Sequence, residues 1–181
     1  VFLPDPLTTL LKLAEEGTGL LARSKPIVDE APYLLGVDEP RKYLILFQND
    51  NELRPTGGFL SAYSMVSVSK GKFTPVLSSD IYSLDAKYTP SIQAPSIFPT
   101  YLAGIYVGNN RLRLRDMNWS PDFKVSMDTF LPEAKKAGLT GYDAVIVVDT
   151  KVLANILSVI GTIGVPGFGN FGVNIDPKCN C

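Results

Sequence analysis

The sequence predicts an α/β fold, a mixed central sheet with helices packed on its faces, and three observations carry that expectation. Tyr43 to Phe47 is an unbroken apolar run ending in the polar tetrad Gln48-Asn49-Asp50-Asn51, as a strand covered on both faces would be. Ala144 to Val148 repeats the pattern, and Asp149-Thr150 leads it into a helical stripe of Val152, Leu153, Ile156, Leu157 and Ile160. Between them, Phe59 to Val68 and Phe73 to Leu77 are β-rich and flank Ser69-Lys70-Gly71-Lys72, the composition of a hairpin turn. At 181 residues and 45% apolar composition the chain can bury one sizeable core.

Taken in order, Asp5-Pro6 opens a first helix with an N-cap and a proline at the position where its missing N–H costs nothing. Leu7, Leu10, Leu11, Ala14 and Leu21 fall on one face, and Glu15, Glu16 and Arg23 on the other. Gly17 and Gly19 weaken it, and Pro26, Pro32 and Pro40 read as a connection in which Ile27 to Leu35 is at most a broken helix. Residues 1–40 are therefore expected as an N-terminal amphipathic segment and linker, and residues 41–181 as the α/β domain.

After the hairpin, Asp80 to Gly108 carries Pro90, Pro95 and Pro99 and few charges, and reads as a long irregular excursion covering a site or an edge. Ser120-Pro121-Asp122 reads as a helix start capped by Ser120, followed by an apolar stripe of Phe123, Met127, Phe130, Leu131 and Ala134. Pro132 is expected to kink or split that helix, and Gly138 to stop it. Ala144 to Val148 is expected as a second buried strand and the helix after it as a packed one. Gly161 ends that helix, and Ile163 to Val165 returns as a strand, with a right-handed crossover where the strands are parallel.

Composition removes several function classes. Seventeen basic residues against 18 acidic ones give a formal charge of -1, which offers no bulk attraction for nucleic acid or a membrane surface. Histidine is absent, which excludes Ser-His-Asp and Cys-His catalysis and His-based zinc or haem sites within the chain. Cys179 and Cys181 are too close for an unstrained bridge and too few for a metal site, so they read as a free or externally paired tail. Val152 to Ile175 is uncharged, but its glycines and asparagines argue against a membrane span. Gly167-Phe168-Gly169-Asn170-Phe171-Gly172 has the letters of a dinucleotide motif without the strand, following helix and downstream acid that motif needs, so no nucleotide cofactor is expected. Asn118-Trp119-Ser120 is formally a glycosylation acceptor, hindered by Pro121. The chain begins at Val1 without an initiator methionine or signal peptide, so processing or trimming is expected.

Two cassettes carry the chemistry. In Glu52-Leu53-Arg54-Pro55-Thr56-Gly57-Gly58-Phe59, the turn glycines permit close backbone approach, so that N–H groups around Thr56, Gly57 and Gly58 can cradle an oxyanion beside the fork of Arg54. The alternative is a plain loop whose arginine pairs with Glu52 or Asp50. In Arg113-Leu114-Arg115-Asp116-Met117-Asn118-Trp119-Ser120-Pro121-Asp122-Phe123, Arg113 and Arg115 alternate as on a strand and would face one side. Asp116, Asn118 and Asp122 could bind a hard cation or orient those arginines around a buried Trp119, with Asp80 and Asp85 as weaker candidates for the same cation.

Together with Lys42-Tyr-Leu-Ile-Leu-Phe-Gln-Asn and Tyr142-Asp-Ala-Val-Ile-Val-Val-Asp, the cassettes resemble a family of bacterial envelope proteins, the domain of unknown function 4012, from about Arg41 onward. That family more distantly resembles the LytR-CpsA-Psr proteins, three-layer α/β domains tethered by an N-terminal membrane helix. Those transfer glycopolymers from a polyprenyl-pyrophosphate carrier to the cell wall. The resemblance implies an extracytoplasmic envelope domain whose membrane helix lies outside this chain. It implies that Arg54, Arg113 and Arg115 hold a lipid-linked glycan phosphate or cell-wall polymer, and that Asp116 with Asp80 or Asp122 holds Mg2+. Gly57-Gly58 stands where that group has an aspartate, Ser79 where it has an arginine, and a later arginine-rich strand is missing; the resemblance also implies a pattern that continues past the last residue here, so a C-terminally truncated fragment is expected. A non-catalytic surface module using the Pro90–Pro99 stretch with exposed Tyr101 and Tyr106 is the alternative.

Overall fold

The computed structural model describes residues 5–102, 106 and 110–173, and has the α/β architecture expected. Strands β1 (Arg41–Asn49), β2 (Phe59–Ser69), β3 (Lys72–Asp80) and β4 (Ala144–Asp149) form a mixed four-stranded sheet in the order β3-β2-β1-β4. The apolar run in β1 is explained by its place between β2 and β4, and Leu44 and Leu46 are fully buried. Strands β1 and β4 run parallel from Tyr43 opposite Ala144 to Gln48 opposite Asp149. The Asp143 carboxylate accepts from the Lys42 N–H at 2.7 Å, locking the start of that register. Lys70 and Gly71, both at positive φ, form the two-residue turn joining β2 to β3.

The chain divides into two compact units, Val1–Arg41 with Ser67–Thr74, and Lys42–Val66 with Pro75–Cys181. In the first, α1 (Asp5–Leu34) is one continuous helix, correcting the broken helix expected after Pro26. Each internal proline deletes one backbone hydrogen bond at a cost of about 3 kcal/mol, which bends a helix of this length without ending it. The Leu35 and Gly36 carbonyls accept from Gly71 and Lys70, and the Arg41 guanidinium lies 4.0 Å over the Tyr33 ring. Among the described residues no helix is long and apolar enough to cross a membrane.

In the second unit the excursion is part of the core rather than a cover. It contains the short helices α2 (Ile81–Asp85) and α3 (Phe98–Tyr101) and buries Ile81, Leu84, Tyr88, Ala94, Phe98 and Tyr106 against β1, β2 and the next helix. Tyr106 is 1% exposed, so of the two aromatics expected on the surface only Tyr101 is there. The next helix, α4 (Phe123–Lys136), turns Met127, Phe130 and Ala134 to the core and runs through Pro132. Its N-cap is Asp122, accepting from Val125 N–H, and not Ser120, whose hydroxyl instead accepts from Asp122 N–H. Buried Glu133 ties the excursion to α4, accepting from Tyr88 and Ser91 hydroxyls, both at 2.8 Å, and from Lys136.

That tie predicts a pH effect. Burial pushes the Glu133 carboxyl up, but hydrogen bonds from Lys136, Ser91 and Tyr88 outweigh it and hold the group below its usual 4.5. A depressed acid stabilises the fold above its unfolded pKa and loses that contribution as pH falls through the folded value. Glu133→Gln is expected to cost about 1 kcal/mol at pH 7, discounted because Lys136 is half exposed, and nothing in strong acid. Urea midpoints of both proteins at neutral and acid pH check it; a constant gap would refute the linkage.

The C-terminal part departs most from expectation. Strand β4 is an edge, with Ile146 44% exposed, because nothing pairs beyond it among the described residues. Helix α5 (Thr150–Ile160) buries no residue, and β5 (Ile163–Val165) pairs antiparallel with β6 (Gly169–Phe171) instead of joining the main sheet. The glycine motif is therefore the turn and second strand of a hairpin. Cys179 and Cys181 lie outside the described residues.

Candidate functional site

The two cassettes converge on Asp116. Its carboxylate is fully buried and receives Arg54 Nη2 at 3.3 Å and the Tyr106 hydroxyl at 2.6 Å, with Arg115 Nε at 3.8 Å. Arg115 Nη1 also reaches Asp85 at 2.7 Å, and the other oxygen of Asp85 accepts from Leu114 N–H. Local structure explains the placement. Arg113 to Asp116 is not a strand, as the alternation suggested, but an extended residue leading into a 3-10 turn over Leu114–Asp116. The turn sinks Leu114 and Asp116 while leaving Arg113 and Arg115 partly exposed.

Aromatic rings set the planes of the two forks. Arg54 lies 5.2 Å from the Phe59 ring centre and Arg115 lies 4.9 Å from that of Tyr82, and the two rings are 6.3 Å apart. Burial raises the Asp85 pKa above its usual value, opposed by the charge of Arg115 and the Leu114 N–H. Burial first, then the Asp116 hydrogen bond, pushes the Tyr106 phenol far upward, so it stays a proton donor.

A second, uncharged network joins the cassettes. Asn118 Nδ2 donates to Thr56 Oγ1 at 2.8 Å and to the Gly58 carbonyl at 2.7 Å, while Gln48 Nε2 donates to Thr56 Oγ1 at 2.6 Å. With both lone pairs of Thr56 occupied, its own O–H is left as a donor. Asn118 is wholly buried, which removes it as a glycosylation acceptor, and its Oδ1 has no hydrogen-bond partner. Arg54 Nε is likewise enclosed and unpaired. Trp119 is 36% exposed and packs edge-on against Phe98 at 4.4 Å, rather than being buried.

Arg54, Thr56, Gly58 and Arg115 are thus brought together as a group, and Arg113 joins them through its N–H to the Tyr106 oxygen at 3.3 Å. Gly57 adopts positive φ in the same turn, and its N–H returns to the Arg54 carbonyl. Asp80 and Asp122 are not part of the cluster. Asp80 caps α2 by accepting from Ser83 N–H and hydroxyl, which hold its carboxyl below the usual value, and Asp122 caps α4. Among the described residues no group of three or more acidic or cysteine side chains is placed to hold a metal ion, and the two carboxylates at the node, Asp85 and Asp116, are each engaged by an arginine. Asp85 and Tyr106 are the partners that sequence reasoning undervalued, and Gln48 is one it missed, its only signal being its place as the first polar residue after a buried run.

Beside the node, a groove of about 430 Å3 is lined by Gln48 and Thr56 and by Phe123, Val145, Ile146, Val147, Asp149 and Val152. Thr56 belongs to both, so the groove opens next to the cassettes.

The sequence profile of the family described as "Protein of unknown function (DUF4012)" matches residues 38–176. The chain belongs to the DUF4012 family. The match takes in both cassettes, the whole sheet and the hairpin at the C-terminal side of this DUF4012 domain. No curated protein and no solved structure matches the chain.

Proposed function

We propose that this DUF4012 domain binds the phosphate head of a lipid-linked glycan at an extracytoplasmic cell surface, with Arg54, Arg113 and Arg115 as the anion-binding groups. The observation that carries this reading is the charge balance at the node. Three arginines stand against two carboxylates: Arg54 and Arg115 pair with Asp116 and Asp85, while Arg113 makes no salt bridge among the described residues and acts on Asp85 only through its charge. One formal positive charge is left for a ligand, and the Thr56 hydroxyl in the same pair of cassettes adds a donor. The groove supports an amphiphilic rather than a purely ionic ligand, since an apolar chain along Val145, Val147 and Val152 would have its head at Thr56. The resemblance to LytR-CpsA-Psr proteins supports the same class. The proposal is one of recognition: histidine is absent from the chain, and both acids at the node are engaged by arginines.

Farnesyl diphosphate, inorganic pyrophosphate and farnesol, titrated in turn against the chain, separate head from tail. Arg113→Ala is expected to weaken both phosphate ligands by about 10–100-fold, the worth of a charge-assisted hydrogen bond, with an unchanged melting temperature. Val152→Asp should weaken farnesyl diphosphate alone. Equal affinities for wild type and Arg113→Ala, or no binding of either phosphate, would sink the reading.

A further inference from the structure

The observation lies in the first unit and does not depend on the anion site. Helix α1 carries an apolar stripe with a strict period of seven. Leu13, Leu20, Ile27 and Leu34 form one column, and Ala14, Leu21, Val28 and, just past the helix end, Leu35 form the column at the opposite side of the stripe. Between these two runs lies a column of Leu10, Gly17, Ser24 and Ala31. A straight helix drifts relative to a seven-residue repeat, so a stripe that keeps this period specifies supercoiling with another helix. The stripe is bare: Leu13, Leu20, Leu21, Ile27 and Val28 are 60–72% exposed, and a Cβ built on Gly17 would meet no atom within 4 Å. Both internal prolines fall off the stripe.

We infer that α1 is a self-association surface, on which two copies of this chain pair their helices antiparallel. Charge fixes the occupant and the register. Along the edge of the stripe the seven-residue column reads Glu16, Arg23, Glu30. In the antiparallel register that aligns the helices over their full length, Glu16 of each copy faces Arg23 of the other, twice by symmetry. The same register sets Leu20 against Gly17 of the second copy, Leu13 against Ser24 and Ile27 against Leu10, so most large side chains enter hollows left by small ones. A slip of one heptad places Glu16 against Glu30 and Arg23 against itself, which repels. A lipid surface is the poorer match, because the helix has three basic residues, Lys12, Arg23 and Lys25, against five acidic ones, Asp5, Glu15, Glu16, Asp29 and Glu30.

Sedimentation equilibrium of the whole chain tests this. A monomer–dimer equilibrium in the micromolar range is expected for wild type. Glu16→Arg and Arg23→Glu should each weaken it by about tenfold, since each turns two attractive pairs into repulsive ones, and the double variant should restore it. That restoration cannot come from a change within one helix. A wild type that stays monomeric at high concentration, a double variant no better than the singles, or flotation with phosphatidylglycerol vesicles in place of dimerisation would overturn the inference.

Discussion

Asp116→Asn is expected to make the protein less stable and a better binder of an anionic head group at the same time. The carboxylate is fully buried and neutralises Arg54, while Arg115 approaches it from the other side. Removing one partner of a buried ion pair leaves an uncompensated charge and costs about 3–5 kcal/mol, of which asparagine recovers little because only the Tyr106 hydroxyl can still be satisfied. For a chain of this size that is a fall of roughly 6–20 °C in melting temperature. The same change raises the surplus at the node from one positive charge to two and frees Arg54 Nη2, so affinity for pyrophosphate or farnesyl diphosphate should rise by about tenfold or more. Calorimetry with and without ligand measures both. If stability and affinity fall together, the arginines serve only as struts between the cassettes. A double-mutant cycle with Arg54→Met separates the pair from its surroundings, since removing both charges should cost less than removing either.

Much of the sheet was legible because its signals are local. The apolar run of β1 and the two-residue turn at Lys70-Gly71 need no tertiary information to be read. The helix after Trp119 was legible for the same reason, although its cap is Asp122 and not Ser120. The site was half legible. Arginine beside glycine and arginine beside aspartate stood out as composition, but their meeting on one carboxylate depends on a chain separation of 62 residues, which no period or spacing encodes. Tyr106 and Asp85 were underread because a tyrosine and an acid in a proline-rich stretch look solvated, and only the fold shows that the stretch packs inward. Strand β4 misled in the opposite direction. Its unbroken Val and Ile run implies cover on both faces, and the edge position in the described residues leaves Ile146 open. Asp80 and Asp122, read as metal ligands, each do a closer job, satisfying the first N–H groups of a helix.

Gly58→Ala is expected to be the most damaging single methyl in the first cassette, and its cost should appear at Asn118. A Cβ at Gly58 would stand 2.4 Å from the Asn49 carbonyl oxygen and 2.9 Å from the Asp50 nitrogen, both backbone at the end of β1. Backbone cannot rotate aside, so the turn must lift away from the strand. Lifting it draws the Gly58 carbonyl off Asn118 Nδ2 and loosens Thr56 from Gln48. Overpacking contributes about 1–3 kcal/mol and the disrupted hydrogen bonds of buried Asn118 another ~1–3 kcal/mol. Gly57→Ala is the informative neighbour. It has positive φ, but its Cβ would meet only the movable Gln48 Oε1 at 3.3 Å, so backbone strain of about 1–2 kcal/mol is the main penalty. Gly138→Ala, at positive φ in open space, isolates that strain alone. Urea unfolding of the three variants should therefore rank Gly58 well below Gly57, with Gly57 close to Gly138, and amide NMR shifts for Gly58→Ala should extend to the Asn118 side chain. If Gly58→Ala unfolds no earlier than Gly138→Ala, the tight seat of the cassette on β1 is not what positions Thr56 and Arg54.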